Sequence, residues 1–320
     1  MLFVGVEEAA NIIKSGGLVA FPTETVFGLG GDAFNKTTIK HIYEIKGRPT
    51  DNPLILHIYS FDCARRLIHI PDYANKLIKE YWPGPLTIVG KKRDIPDWIG
   101  GHPDNKTDTL GVRMPNNDLA LKLIELSGCV LAAPSANKAG TPSPTKAEHV
   151  YNDFDVPVLN DAQSPVIGIE STVISAIEDT PIILRPGFIT EEMINKTTGL
   201  ICKKAVNTKT PLSPGIKYKH YAPKAPMEIL IGENIKNYIL KDNQKRIGLI
   251  SSRQIHCKNI FWRDMGDSAE FAAKNLYENL RFFDSIGVDI IYATGIEEKD
   301  FGVAVMDRLK KAAGGNITYV

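Results

Sequence analysis

Cysteine is scarce, with four residues in 320, at positions 63, 129, 202 and 257, and none in a CxxC spacing. So few thiols in so long a chain make neither a disulfide framework nor a zinc site, and reduced structural thiols are expected. Long apolar runs are also missing. Nowhere do 18 apolar residues follow one another, and Glu7, Glu8 and Lys14 interrupt the apolar N-terminal stretch. A membrane span and a signal-peptide core are therefore not expected, and the reading is a cytoplasmic protein with no membrane partner. An excess of charge is lacking too, since the formal net charge is +1. No global field draws in nucleic acid, so any anion site must come from local clustering. No GxxxxGK[ST] occurs, which excludes a P-loop NTPase. What is present is a hydrophobic share of 43% and a charged share of 23%, both close to globular averages, in a chain long enough for two domains.

Val6, Ala9, Ala10 and Ile13 fall on one helical face, and Gly16-Gly17 end that helix before the short apolar run Leu18 to Phe21. Helix and strand keep alternating: a helix marked by Ile39, Ile42 and Tyr43, a strand Leu54 to Ile58, a helix Tyr73 to Tyr81, then a strand Leu86 to Val89. Ser171 to Ile177 followed by Pro181 to Leu184 reads as an antiparallel hairpin. The expected fold is α/β, a twisted mixed sheet flanked by helices. Between Met193 and Met227 seven lysines occur without one Asp or Glu, and five residues between Pro211 and Pro226 are Pro or Gly, which predicts an extended linker. Beyond it Met227 to Ile231, Ile247 to Ile250, a helix from Asp267 through Phe283, and Val288 to Tyr292 predict a small Rossmann-like α/β domain. The expected division is 1–205, a linker 206–226, and 227–320.

Gly28-Leu29-Gly30-Gly31-Asp32-Ala33 fits GxGxxA formally. Six residues separate it from the preceding strand, so it reads as a plain Gly-rich turn and not a dinucleotide fingerprint. Lys46 and Arg48 stand two residues apart in a loop that Pro49 and Pro53 restrict. Such a pair suits a triphosphate, with Arg gripping two oxygens and Lys acting as a mobile point charge; a solvated turn is the plainer alternative. Ala133-Pro134-Ser135-Ala136-Asn137 follows an apolar run and puts a hydroxyl and an amide at a strand exit, where ligands bind in open α/β sheets, or forms only a turn or cap. Arg113 and Arg185 each sit beside an apolar stretch and a proline, which fits an anion site and a buried salt bridge about equally. His57, at the end of a strand, reads by itself as a satisfied core or edge histidine.

In their order these segments resemble the Sua5/YrdC/YciO family of L-threonylcarbamoyladenylate synthases, in its two-domain Sua5 form. The match rests on Phe21-Pro22-Thr23-Glu24-Thr25-Val26-Phe27-Gly28-Leu29, Lys46-Gly47-Arg48-Pro49, Asn52-Pro53-Leu54, Trp82-Pro83-Gly84-Pro85-Leu86-Thr87, Gly111-Val112-Arg113-Met114-Pro115, Ala133-Pro134-Ser135-Ala136-Asn137 and Ser171-Thr172-Val173. Ser213-Pro214-Gly215-Ile216-Lys217-Tyr218-Lys219-His220-Tyr221-Ala222-Pro223 resembles the Sua5 linker.

The resemblance implies that L-threonine, bicarbonate and ATP give threonylcarbamoyl-AMP and pyrophosphate, for t6A modification of ANN-decoding tRNAs, with a separate transferase taking the product. It places Lys46, Arg48, Asn52, Thr109, Ser135, Asn137, Ser143, Arg185 and Tyr221 on the nucleotide, with Lys46, Arg48, Ser135 and Asn137 as the catalytic set. Thr25, His57, Arg113, Ala133 and Ser171 would hold threonine. Mg2+ would arrive on ATP, because no carboxylate cage for a metal is evident. Tyr221 implies a linker that folds over the site and shields a labile mixed anhydride from water. The rivals are a non-catalytic RNA-binding module, which the balanced charge disfavours while leaving room for weak tRNA binding, and a hydrogenase-maturation carbamoyl-adenylate enzyme, whose CxxC motifs this chain lacks.

Overall fold

The computed structural model describes residues 2–159, 165–204, 220–242 and 244–320. The first sheet contains β1 (Phe3–Val4), β2 (Val19–Phe21), β3 (Gly28–Asp32), β4 (Ile55–His57), β5 (Leu86–Lys91), β6 (Thr109–Arg113), β7 (Leu131–Ala132), β8 (Val158–Leu159), β9 (Thr172–Ser175), β10 (Ile182–Arg185) and β11 (Lys203–Lys204). Its order is β1-β8-β2-β3-β7-β4-β6-β5-β9-β10-β11. Parallel pairs such as β4 with β6 alternate with antiparallel ones such as β5 with β6, and β9 with β10 forms the expected hairpin.

Helix Val6–Lys14 buries Val6, Ala9, Ala10 and Ile13, the face its spacing predicts. Helix Lys36–Lys46 starts where the Asn35 side chain accepts from the Thr37 and Thr38 N–H groups, and ends at Gly47 in the left-handed region, φ +59. That stop turns the chain sharply, so Lys46 closes the helix and Arg48 opens the loop after it.

The Gly-rich segment corrects the sequence reading, for it is the buried strand β3 and not a turn. Close packing explains its composition. A Cβ on Gly30 would come 2.6 Å from the Phe21 ring, and one on Gly31 would come 2.3 Å from Thr38 Cγ2. Only glycine lets the neighbours approach that far.

The second sheet contains β12 (Met227–Ile231), β13 (Ile247–Ser251), β14 (Ile260–Asp264), β15 (Ile290–Thr294) and β16 (Ile317–Tyr319), ordered β14-β13-β15-β12-β16 and parallel throughout. β14 and β16 are additional to the strands that the sequence reading gives. The long helix Ala269–Ile286 is capped by the Ser268 side chain, which accepts from Phe271 N–H, so it begins after Asp267 and not at it. Of the lysine-rich segment, helix Glu191–Thr198 and β11 belong to the first sheet's unit, since β11 pairs with β10. Residues 205–219, most of the expected linker, lie outside the described residues.

One large core fills the first unit around Leu29, Ile42, Leu56 and Ile88. A second, around Leu276, Phe283 and Ile291, also takes in Val26, Ile169 and Tyr221, which lie outside the second sheet's unit. The two units therefore share buried apolar surface next to the loops described below.

Candidate active site

Loops at strand ends converge on a cavity enclosing about 700 Å3, its mouth included. On one wall β4 and β6 run parallel in a register that sets His57 beside Arg113. The loop from Pro22 to Phe27 is wound on Thr23, whose Oγ1 donates to Val26 O at 2.7 Å and accepts from the Thr25 and Val26 N–H groups at 3.2 Å. This presents Thr25 Oγ1 to Arg113 Nη1 at 2.9 Å. Arg113 Nε donates to Gly84 O at 3.3 Å, and Nη2 stands 2.6 Å from Glu24 Oε2, close enough for an ion pair although not aligned as a hydrogen bond. Arg113 is thus a buried salt-bridge partner that also lines the cavity.

Burial first, then the Arg113 charge, push the His57 pKa down to about 3. The ring is neutral at physiological pH. Its Nδ1 faces Ile55 O at 3.3 Å, so Nδ1 carries the hydrogen and Nε2 is left as an acceptor. Ser171 Oγ shares a hydrogen bond with Thr87 Oγ1 at 2.8 Å and accepts from Arg185 Nη2 at 3.2 Å.

Arg48 is aimed by its own loop, with Nε donating to Asn52 O at 3.0 Å and Nη2 to Asn52 Oδ1 at 2.8 Å and Pro53 O at 2.6 Å. Lys46 is not mobile. It is buried, and its Nζ donates to Ser135 O at 2.5 Å and to Asn137 O, with the Phe154 ring 5.9 Å away. Burial, then the neighbouring Arg48, hold its pKa well below the usual lysine range. Asn137 Nδ2 is tied to Thr141 O at 2.9 Å, while Asn137 Oδ1 is buried without a partner.

Among the residues that the resemblance assigns to ligands, Thr25, Arg48, His57, Arg113, Ala133, Ser135, Asn137, Ser143, Ser171, Arg185 and Tyr221 all line this cavity. Three do not line it. Lys46 acts on the loop carbonyls, Asn52 on Arg48, and Thr109 sits on β6 opposite Lys91. Sequence reasoning missed Glu170, Thr141 and His220, which also line it. His220 and Tyr221 are neighbours in the linker motif. Tyr221 is held at φ +63, a left-handed conformation costly for a non-glycine residue, and the next N–H, of Ala222, donates to Gly140 O at 2.8 Å.

Glu170 is the carboxylate of the lining. Burial would raise its pKa, yet Arg308, then Arg185 and the Ser143 hydroxyl, hold it down at about 2. Among the described residues no three His, Cys, Asp or Glu side chains are grouped to hold a metal ion. The described lining offers guanidinium groups, hydroxyls and the imidazoles of His57 and His220 beside the Glu170 carboxylate.

Fold and cavity together define an α/β protein with an arginine-lined cavity where strand ends and loops meet. The family model of Sua5, YciO and YrdC, described as telomere recombination, matches residues 11–187, and a second, described as threonylcarbamoyl-AMP synthase C-terminal domain, matches 189–314. The chain belongs to the Sua5/YrdC/YciO family. It is 45% identical to the threonylcarbamoyl-AMP synthase of Pyrococcus abyssi, over 98% of this chain and 95% of that one. To the enzyme of the same name from Bacillus subtilis it is 42% identical, over 98% and 94%. The crystal structure of P. abyssi Sua5 complexed with L-threonine matches with a TM-score of 0.91 at 44% identity, covering 98% of this chain and 96% of that one.

Proposed function

We infer that this protein is a threonylcarbamoyl-AMP synthase, using L-threonine, bicarbonate and ATP and releasing pyrophosphate, in the service of t6A formation on tRNA. The observation that carries the reading is the convergence, in one cavity, of side chains from segments as far apart in the chain as the Thr25 loop and the ends of β6 and β10, at Arg113 and Arg185. Full-length likeness to synthases of that name supports it.

The chemistry proposed is as follows. The threonine nitrogen adds to the carbon of CO2 or bicarbonate, water or hydroxide being lost from the latter, to give a carbamate. A carbamate oxygen then attacks the α-phosphorus, and the bond to the β-phosphate oxygen breaks. Thr25, His57, Arg113, Ala133 and Ser171 hold threonine in this reading, and His57 Nε2, an acceptor, suits the amino group and not the carboxylate. Arg48 and Arg185 take the phosphates, where charge grows during transfer. Ser135, Asn137, Ser143 and Tyr221 complete the nucleotide's surroundings. Mg2+ would come bound to the triphosphate and offset part of its charge, and the carboxylate of the described lining, Glu170, is already engaged by Ser143, Tyr277 and Arg308. The catalytic unit ends near residue 205, after β11 completes the first sheet, and the linker over 206–226 brings Tyr221 back as a cover. A cytoplasmic setting, a downstream transferase and weak tRNA binding complete the proposal.

The test is mass spectrometry of products from 13C-bicarbonate, ATP and threonine, together with pyrophosphate release. Release should need both threonine and bicarbonate, and Arg48→Ala should remove about 99% of it while the fold survives. Release that proceeds equally without threonine would overturn the substrate assignment, and tight tRNA binding with no release would favour the RNA-binding reading.

A further inference from the structure

Glu170 is satisfied from two units of the molecule at once. Ser143 Oγ donates to Oε1 at 2.6 Å from the first unit. Tyr277 Oη and Arg308 Nε each donate to Oε2 at 2.9 Å, from the long helix and from the last helix, Gly302–Ala312. The Arg308 side chain has no exposed surface, and its Nη1 lies 2.6 Å from Asp307.

Tyr221 is held by the same two residues. The Tyr277 ring stacks on it with centroids 5.4 Å apart, and the Arg308 guanidinium lies 5.6 Å from its ring. One turn beyond Tyr277, Arg281 Nη2 donates to Pro142 O and to Asp153 Oδ2, both at 2.6 Å, which fixes the residue before Ser143. The loop leading to Glu170 rests on the long helix so closely that a Cβ on Gly168, at φ +86, would fall 2.4 Å from Lys274 Cα.

A buried carboxylate requires a counter-charge. Arg308 and the cavity's Arg185 are both near enough to hold Glu170 ionised. With Arg308 seated on Oε2, Arg185 keeps its bonds to Ser171 and faces the cavity. Without Arg308, Glu170 would draw Arg185 into an internal salt bridge across the ligand's space. We propose that Tyr277 and Arg308 are positioning residues for adenylation, holding Glu170 so that Ser143, Tyr221 and Arg185 face the nucleotide. This rests on the reading of the cavity given above, and it gives the C-terminal unit a part in the site.

The test measures pyrophosphate release with ATP and threonine varied separately. Tyr277→Phe keeps the stacked ring and removes one donor. It should raise the KM for ATP about five-fold, move the KM for threonine less, and lower the melting temperature by no more than one lost hydrogen bond to a carboxylate accounts for. Arg308→Lys, which keeps the charge, should retain more activity than Arg308→Met. In a Glu170→Gln background the Tyr277→Phe change should add nothing further, an outcome that general loosening of the fold would not give. An unchanged ATP KM in Tyr277→Phe, or fully additive losses in the double variant, with the wild type active, would overturn the positioning role alone. A wild type without threonine-dependent release would overturn the cavity's reading and this inference with it.

Discussion

Lys46 uses its hydrogen-bond donors inside the protein. Its Nζ bridges the carbonyls of Ser135 and Asn137 from a buried position, so it acts on the loop that carries those side chains. Lys46→Met should leave the Asn137 carbonyl without this donor and the Ser135 carbonyl with only the Asn137 N–H, at a cost of about 1–3 kcal/mol, and let Ser135 and Asn137 shift. The expected outcome is a lower melting temperature and an ATP KM raised roughly ten-fold, with the salt dependence of that KM unchanged. A phosphate-binding lysine would instead lose part of that salt dependence when removed, so titrating KM against ionic strength separates the two. The sequence showed that a Lys-x-Arg pair was present, but it could not show that one cation faces the ligand and the other a backbone loop. That division depends on helix Lys36–Lys46 ending at Gly47, and on which side of the turn each side chain falls.

At the scale of elements, strand ends do the assembling. The hairpin of β9 and β10 places Ser171 just before one strand and Arg185 at the end of the other, and Gly187 lets the returning chain lie on Ser171-Thr172. A Cβ there would meet Thr172 N at 2.3 Å and Ser171 C at 2.7 Å, both backbone, which cannot step aside. Gly187→Ala should therefore cost about 1–3 kcal/mol and shift Ser171. The expected reading is a lower melting temperature together with weaker threonine binding by calorimetry; unaltered threonine affinity would mean that the backbone at 171 does not govern the site. The amphipathic helices and apolar strands were legible from their periods, as Val6–Lys14 illustrates. β3 was not, because three glycines in five residues carry neither alternation nor β propensity, and their role is set by Phe21 and Thr38 pressing on them. Glu170 was overlooked for a related reason. It stands beside the Ser171 motif, yet its partners Tyr277 and Arg308 are 107 and 138 positions away.

For the whole molecule, the buried imidazoles and Glu170 make stability depend on pH in one direction. Burial, with nearby cations, pushes His57 and His149 down to about 3 and His220 to about 4, from an ordinary 6.5. His149 needs its neutral form, since Nδ1 accepts from Thr145 N–H at 3.1 Å. As pH falls below about 6.5 the unfolded chain takes up protons that the folded one refuses, so stability drops. Glu170 acts in the same sense over a lower range. Its pKa is depressed from 4.5 to about 2, so the stabilisation is complete above 4.5 and is lost as pH falls toward 2. Glu170 also joins the two units, through Ser143 on one side and Tyr277 and Arg308 on the other. Acidification should thus weaken the cores and their junction together. Calorimetry across pH should show a melting temperature level near pH 7 to 8, declining from about 6.5 and most steeply near pH 4 to 5, as one transition. Two separating transitions at pH 4 would show that the junction does not couple the units, and a melting temperature level down to pH 4.5 would show that the histidines are not kept neutral by the fold.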